Sequence, residues 1–477
     1  MNKHFISFAG LFFFSNLFFA AVAETRLPAL IGNHMVLQQK SDVKLWGWCD
    51  PSEKIRVTSG WSNDIDSTIG TADGKWLLTM KTPSAGGPYT LTINGNNKIV
   101  LEDVLIGENW LCSGQSNMEM SYSWGIKQYT NDIENGSNKS IRLFHIPRLT
   151  SQYPQDDTKG EWVVCNPEDL KTFSLAGYFF GEKLQQALSV PVGLIEAAWG
   201  GTPAEVWTPK NTIEENSMLK QAADNLKEIP WGPIRPARIY NAMVYPITNF
   251  AIAGVIWYQG EANVSAAATY KELFSSMITS WRKAWNKEFP FYFVQIAPYE
   301  GYGKSISAAL LQEAQTKTTA LPKTGMVVIN DLVNDINNIH PIDKKDVGNR
   351  LADYALAEVY GQNITGYKSP MYKNMDVEKG KIKINFDNAD DGLVTKSGSP
   401  TEFYIAGEDK KFVPATAKIQ GSSIIVWSKE IKNPVSVRYG FTNNATPNVF
   451  SKEGLPVNTF RTDDWEDVNT ISQQLPN

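Results

Sequence analysis

The stretch Gly107-Glu108-Asn109-Trp110-Leu111-Cys112-Ser113-Gly114-Gln115-Ser116-Asn117-Met118 decides how the chain is read. Its first half is strand-like, it breaks at Gly114, and a serine follows where a helix can begin. In an open α/β sheet, ligands gather outside the carboxyl ends of the strands, and a helix start there offers free N–H groups to negative charge. That setting favours an oxyanion, but a serine hydroxyl is a poor nucleophile until a base takes its proton, so the placement alone proves little. Gly-x-Ser is also a common triplet. This one is not the Gly-x-Ser-x-Gly elbow, because Met118 stands where the second glycine would be.

Downstream of this stretch, apolar strands alternate with amphipathic helices. Residues 269–285 carry Tyr270, Leu273, Phe274, Met277, Ile278 and Trp281 at helical spacing. Continuous apolar runs flank that helix at 253–258 and 291–296, as in strands buried on both faces of a parallel sheet. Ser174 is placed to cap a further helix to about Leu188, the strand 193–198 follows it, and 327–329 with a helix near Val347 completes the series. The economical reading is an α/β domain with a doubly wound parallel sheet over 104–366. Before it, over 24–103, apolar residues recur with period two (Ile55, Val57; Trp76, Leu78, Met80; Tyr89, Leu91, Ile93), which predicts a small β-sandwich. The same patterning returns with Ile382, Ile384 and Phe386, so 367–477 is expected to be a second β module. The charged, proline-bearing segment 209–240 reads as an excursion over the surface that borders the site.

With 477 residues, two or three modules are expected. A formal net charge of −5 lacks the basic footprint of a nucleic-acid binder, and none is expected as a partner. Lys3, the apolar run from Phe5 and Ala21-Val22-Ala23 fit a signal peptide over 1–23, with Glu24 as the mature N-terminus. That implies export to a periplasm or beyond the cell, with no membrane attachment after cleavage. An uncleaved anchor is the competing reading, although the run is short for a membrane span. The three cysteines, Cys49, Cys112 and Cys165, match no metal-ligand spacing and allow one disulfide at most. Neither a metal nor another cofactor is expected. Of four histidines, His4 belongs to the leader, leaving His34, His145 and His340 as possible bases.

Four blocks in order give the chain a specific resemblance. They are Trp110-Leu111-Cys112 with Gly114-Gln115-Ser116-Asn117-Met118; Trp199-Gly200-Gly201-Thr202-Pro203; Trp257-Tyr258-Gln259-Gly260-Glu261-Ala262-Asn263; and Ile339-His340-Pro341 running into Lys345-Asp346-Val347-Gly348. Together they resemble the sialate O-acetylesterase family of the SGNH-hydrolase superfamily, and the likeness covers nearly all of the chain after the leader. The resemblance implies an SGNH-hydrolase-like sheet and a serine carbohydrate O-acetylesterase, with Ser116 as nucleophile and His340 as general base. It implies an oxyanion hole made by the Ser116 N–H, a glycine N–H (Gly201 favoured over Gly200) and a side-chain amide from Asn263 or Gln259. Trp199 and Glu261 are candidate substrate contacts, Glu261 alternatively bracing its loop.

One departure concerns the acid. Members of the superfamily carry Asp two or three residues before the histidine, where this chain has Asn338 and Asn337. Asp335 is the candidate third member if its loop folds back. Otherwise a backbone carbonyl or Asn338 orients the imidazole and leaves a Ser-His dyad. The namesake substrate is 9-O-acetylated sialic acid, with acetylated xylan or other plant polysaccharide as the alternative. A sialate carboxylate would call for a cation, and Arg142, Arg235 and Arg238 are available. Two readings of other classes remain open. One is a glycoside hydrolase, using two of Glu108, Glu205 and Glu261; the other is a non-catalytic sugar-binding protein.

Overall fold

The computed structural model describes residues 24–303 and 305–465, so the leader expected over 1–23 lies outside the described residues. The first strands are β1 (Val36–Gln38), β2 (Asp42–Trp48), β3 (Lys54–Ser59), β4 (Ile65–Ile69), β5 (Lys75–Lys81), β6 (Gly86–Asn94) and β7 (Lys98–Gly114). Strand β7 does double duty. Its first half pairs antiparallel with β6, and its second half becomes the centre of a large sheet.

That sheet adds β8 (Asn138–His145), β9 (Trp162–Cys165), β10 (Val192–Ala198), β11 (Gly254–Tyr258), β12 (Phe291–Val294) and β13 (Thr324–Val327). The order is β13-β12-β11-β7-β10-β8-β9, parallel throughout except for the edge pair β8 and β9. The expected α/β domain with a mostly parallel, doubly wound sheet is therefore present, with β strands flanking it on both sides in the chain.

Strand alternation explains the two helical layers. Leu111, Ile195, Val255, Trp257 and Phe293 share a core with Tyr270, Phe274 and Ile278 of α3 (Ala267–Trp285); α3 follows α1 (Ser116–Glu119) and α2 (Leu175–Leu188) in the chain. The intervening residues Trp110, Cys112, Leu194, Ile256 and Tyr258 face the other way, against Leu175 and Phe179 of α2. Helix α4 (Ser307–Thr318) packs on α3, and α5 (Lys344–Glu358) packs on α2. With both faces covered, the strands are mostly apolar and read as near-continuous runs, and the polar residues they do bury, such as Ser113 and Glu196, are hydrogen-bonded. Complete burial of one such side chain contributes about 1.5–3 kcal/mol, so the sheet centre is a rigid base for whatever its ends carry.

Local signals set the helix starts. The Ser174 hydroxyl accepts the Gly177 N–H at 3.0 Å and caps α2, as its position suggests. Asp343 caps α5 by accepting from the Asp346 N–H, so α5 begins before the Val347 expected from periodicity. Strand β13 likewise ends at Val327 rather than running over 327–329.

The β module before residue 104 shares its core with the large sheet: Leu45, Ile55 and Trp76 belong to the same cluster as Leu111 and Trp257. The C-terminal strands form two four-stranded antiparallel sheets and a two-stranded pair (Leu393–Thr395 with Val449–Ser451) around Ile382, Ile384, Val426, Val437 and Tyr439. They are fastened to α4, where Arg461 makes paired bonds of 2.9 and 3.0 Å to Glu313. Cys49, Cys112 and Cys165 are all free and buried, so no disulfide joins them.

Candidate active site

Strand register brings the sequence blocks together. Ala198, Gly114 and Tyr258 are paired neighbours, so β10, β7 and β11 end level and their loops emerge side by side. Backbone bonds tie these ends: the Trp199 N–H donates to the Gly114 carbonyl and the Gln115 N–H to the Tyr258 carbonyl. Gly114 has φ +142°, and a Cβ there would sit 2.2 Å from the Tyr258 carbonyl oxygen. Only glycine permits that approach.

Ser116 opens α1 directly beyond this turn. As the first helical residue it has no carbonyl one turn back for its own N–H. The loop after β13 delivers His340, whose Nε2 lies 2.9 Å from Ser116 Oγ. His34 and His145 are elsewhere, bonded to Asp103 and Glu196 respectively. Burial, and then the charge of Lys344, hold the His340 imidazole below the ordinary histidine pKa. Trp124 stands edge-on to the ring, 5.7 Å between centroids.

Asp335 does not reach the imidazole, which corrects the expectation of a carboxylate third member. The Asp335 side chain is exposed and turned onto its own loop, accepting from the Asn337 N–H at 2.9 Å and from Asn337 Nδ2 at 3.2 Å. A two-residue return of this kind is the local bond that aspartate prefers. Asn338 likewise spends its Oδ1 on the His340 N–H, at 3.0 Å.

The glycine that abuts Ser116 is Gly200, where an added Cβ would lie 3.2 Å from Ser116 Cβ, but its N–H is given to Glu119 Oε2 at 2.8 Å. Gly201, with φ +71°, turns the chain beneath Trp231. The two candidate amides are engaged inside the protein. Gln259 Nε2 donates to the Thr202 carbonyl and to Asn263 Oδ1, and Asn263 Nδ2 donates to Glu205 Oε2. These bonds lock the Trp199 and Trp257 loops to each other. Glu261 is a further correction: it is buried rather than at a substrate surface, and it accepts from Asn117 Nδ2 at 2.5 Å. Burial raises its carboxyl above the usual range.

The rim was largely illegible in the sequence. Trp199 donates Nε1 to the Trp231 carbonyl at 2.9 Å, so part of the 209–240 excursion does border the site. Arg148 lies over the Trp199 ring at 5.8 Å and makes a bidentate pair with Glu119 at 2.6 and 2.7 Å. Glu119 could have been found, since it sits three residues after Ser116 on one helical face. Arg148 had no local signal. Of the arginines considered from sequence, Arg142 is buried against Asp103, whereas Arg235 and Arg238 line a cavity of about 710 Å³ with Tyr153, Lys210 and Tyr240.

Comparison with known proteins is consistent with this geometry. The family model described as "Carbohydrate esterase, sialic acid-specific acetylesterase" matches residues 107–357. The chain belongs to this family. Human sialate O-acetylesterase is 27% identical over 403 residues, 76% of each chain. The mouse enzyme is 27% identical over 428 residues, covering 76% of this chain and 79% of the other. Among solved structures, a carbohydrate acetylesterase from Xanthomonas citri superposes with a TM-score of 0.84 at 35% identity, covering 93% of this chain and 100% of that one. The protein is thus a carbohydrate esterase acting on O-acetyl groups, and its matched region contains the Ser116 and His340 loops.

Proposed function

We propose that this esterase works through a Ser116-His340 dyad on O-acetylated sialic acid, after export from the cell. The 2.9 Å approach of His340 Nε2 to Ser116 Oγ at the level end of three parallel strands carries the reading. His340 takes the hydroxyl proton as Ser116 Oγ bonds to the acetyl carbonyl carbon. The tetrahedral oxyanion is held by the Ser116 N–H and, because Gly200 gives its own N–H to Glu119, by the N–H of Gly201. Collapse breaks the ester C–O bond, and the departing sugar oxygen takes the proton from His340. Water, deprotonated by the same imidazole, then releases acetate from Ser116. The glycosidase alternative lacks support: Glu108, Glu205 and Glu261 are each buried and bonded within the protein rather than presented to a substrate.

The base must be neutral to accept a proton, and its pKa is held below the ordinary value. The acid limb of kcat/KM is therefore expected to have its midpoint below pH 6.5, with activity falling only as pH drops through it. A limb centred above pH 7 in a kcat/KM profile would exclude His340 as described.

Arg148 supports the choice of an anionic sugar. Its guanidinium is half exposed beside Trp199, with Nε and Nη2 on Glu119 and a further nitrogen, Nη1, for a carboxylate. Arg148→Ala is expected to lower kcat/KM for 9-O-acetylated sialic acid about 10- to 100-fold relative to a neutral acetylated sugar, the size of a lost charge-assisted hydrogen bond. The ratio is the decisive reading, because loosening of Glu119 affects both substrates alike. Equal losses, or faster acetate release from acetylated xylan, would favour the plant-polysaccharide alternative. Export rests on the leader pattern over 1–23, and N-terminal sequencing of the mature protein should begin at Glu24. Among the described residues no helix is long and apolar enough to cross a membrane.

A further inference from the structure

Beneath the His340 loop lies a buried polar chain that the dyad mechanism does not use. Lys344, the first residue of α5, is wholly buried, and its Nζ donates to Asn117 Oδ1 at 2.6 Å. Asn117 is also wholly buried, next to Ser116, and its Nδ2 reaches both Glu261 Oε1 and the carbonyl of Ile339 at 3.2 Å. One amide therefore joins the nucleophile's helix, the β11 loop and the residue before His340. The Lys344 ammonium also lies 4.8 Å above the Tyr258 ring. A buried ammonium is a poor choice for mere packing, since an apolar side chain of like size would avoid its desolvation.

We propose that Lys344 is a positioning residue of the esterase: through Asn117 it clamps the Ile339 carbonyl and so holds His340 against Ser116, in place of the carboxylate that this chain lacks beside its imidazole. Asn117 has one orientation that satisfies the clamp. Its oxygen must face Lys344 for its nitrogen to face Glu261 and Ile339, so the cation fixes which way the amide points. The charge has a second effect, because it disfavours the imidazolium and keeps the base neutral. The groups facing Lys344 are Asn117 of α1, Tyr258 at the end of β11, Glu261 beyond it, and the preceding Asp343. Burial brings the ammonium down to about 7, with Glu261 and Asp343 opposing that fall.

The inference rests on the Ser116-His340 reading, so Lys344→Met and Asn117→Ala are to be measured beside His340→Ala on one acetyl ester. Lys344→Met is expected to lower kcat about 10- to 100-fold with KM within about threefold, the pattern of a lost transition-state arrangement. It should also move the acid limb of kcat/KM to higher pH, a change that a purely structural role would not produce. Asn117→Ala should lower kcat similarly while leaving that limb in place, because the charge remains. The double variant should be no slower than the slower single, as for two parts of one clamp. If Lys344→Met does not fold, Asn117→Ala with its unmoved limb carries the test alone. Loss of activity in His340→Ala with wild-type kcat and pH profile in both other variants would overturn this inference and leave the dyad standing. An active His340→Ala would overturn both.

Discussion

Ser116→Ala is expected to abolish acetyl-ester hydrolysis, lowering kcat by at least about 10⁴-fold, with the fold intact. The magnitude follows from the nucleophilic role proposed for the hydroxyl: without it no acetyl-enzyme would form, and the remaining N–H groups could only stabilise attack by water. Little structural cost accompanies the loss. Ser116 is partly exposed at the head of α1, its Oγ is bonded to His340 Nε2, and the cap of that short helix does not depend on it. Thermal unfolding should therefore match the wild type to within a few degrees, since surface substitutions of this kind change stability by about 0.5 kcal/mol or less. A fluorophosphonate should label the wild type once, at Ser116, and should not label the variant. Turnover above about a hundredth of the wild-type rate, or labelling elsewhere, would remove Ser116 from the mechanism.

The fold was legible because burial on both faces leaves a strong mark on sequence. Runs such as 253–258 and 291–296 have no polar face to lose, and α3 shows its stripe over five turns. What could not be seen was continuity: β7 crosses the expected boundary at 104 without a break, joining a half-exposed antiparallel edge to a fully buried centre. The central pair of the site was equally legible, since histidines are scarce and one stands just before a capped helix. Its surroundings were harder to read because amides have no fixed partner. Gln259 and Asn263 lie in the right loop to serve an oxyanion, yet the same short reach lets them satisfy each other and the Thr202 carbonyl. Arg148 reaches the site only because β8 lies beside β10, a pairing that no local pattern announces.

His340→Ala and Asp335→Asn should differ by orders of magnitude, and that contrast tests the absence of an acid member. His340→Ala removes the base proposed for both acylation and deacylation and is expected to cost about 10³- to 10⁴-fold in kcat. A carboxylate on the imidazole would make Asp335→Asn nearly as damaging, because an amide there favours the wrong tautomer. In this loop the Asp335 carboxylate instead serves the Asn337 N–H and side chain, on an exposed turn. Asparagine forms the same turn bond through its own carbonyl oxygen. Asp335→Asn is therefore expected to retain kcat within about threefold, with an unchanged acid limb in its pH profile. The orientation of the imidazole falls to contacts that asparagine at 335 leaves alone: the Asn338 cap on the His340 N–H, the edge of Trp124, and the Asn117 hold on Ile339. A loss beyond about a hundredfold in Asp335→Asn, with the fold retained, would mean that the loop closes on the substrate and brings Asp335 to the ring, making the dyad a triad in the working enzyme.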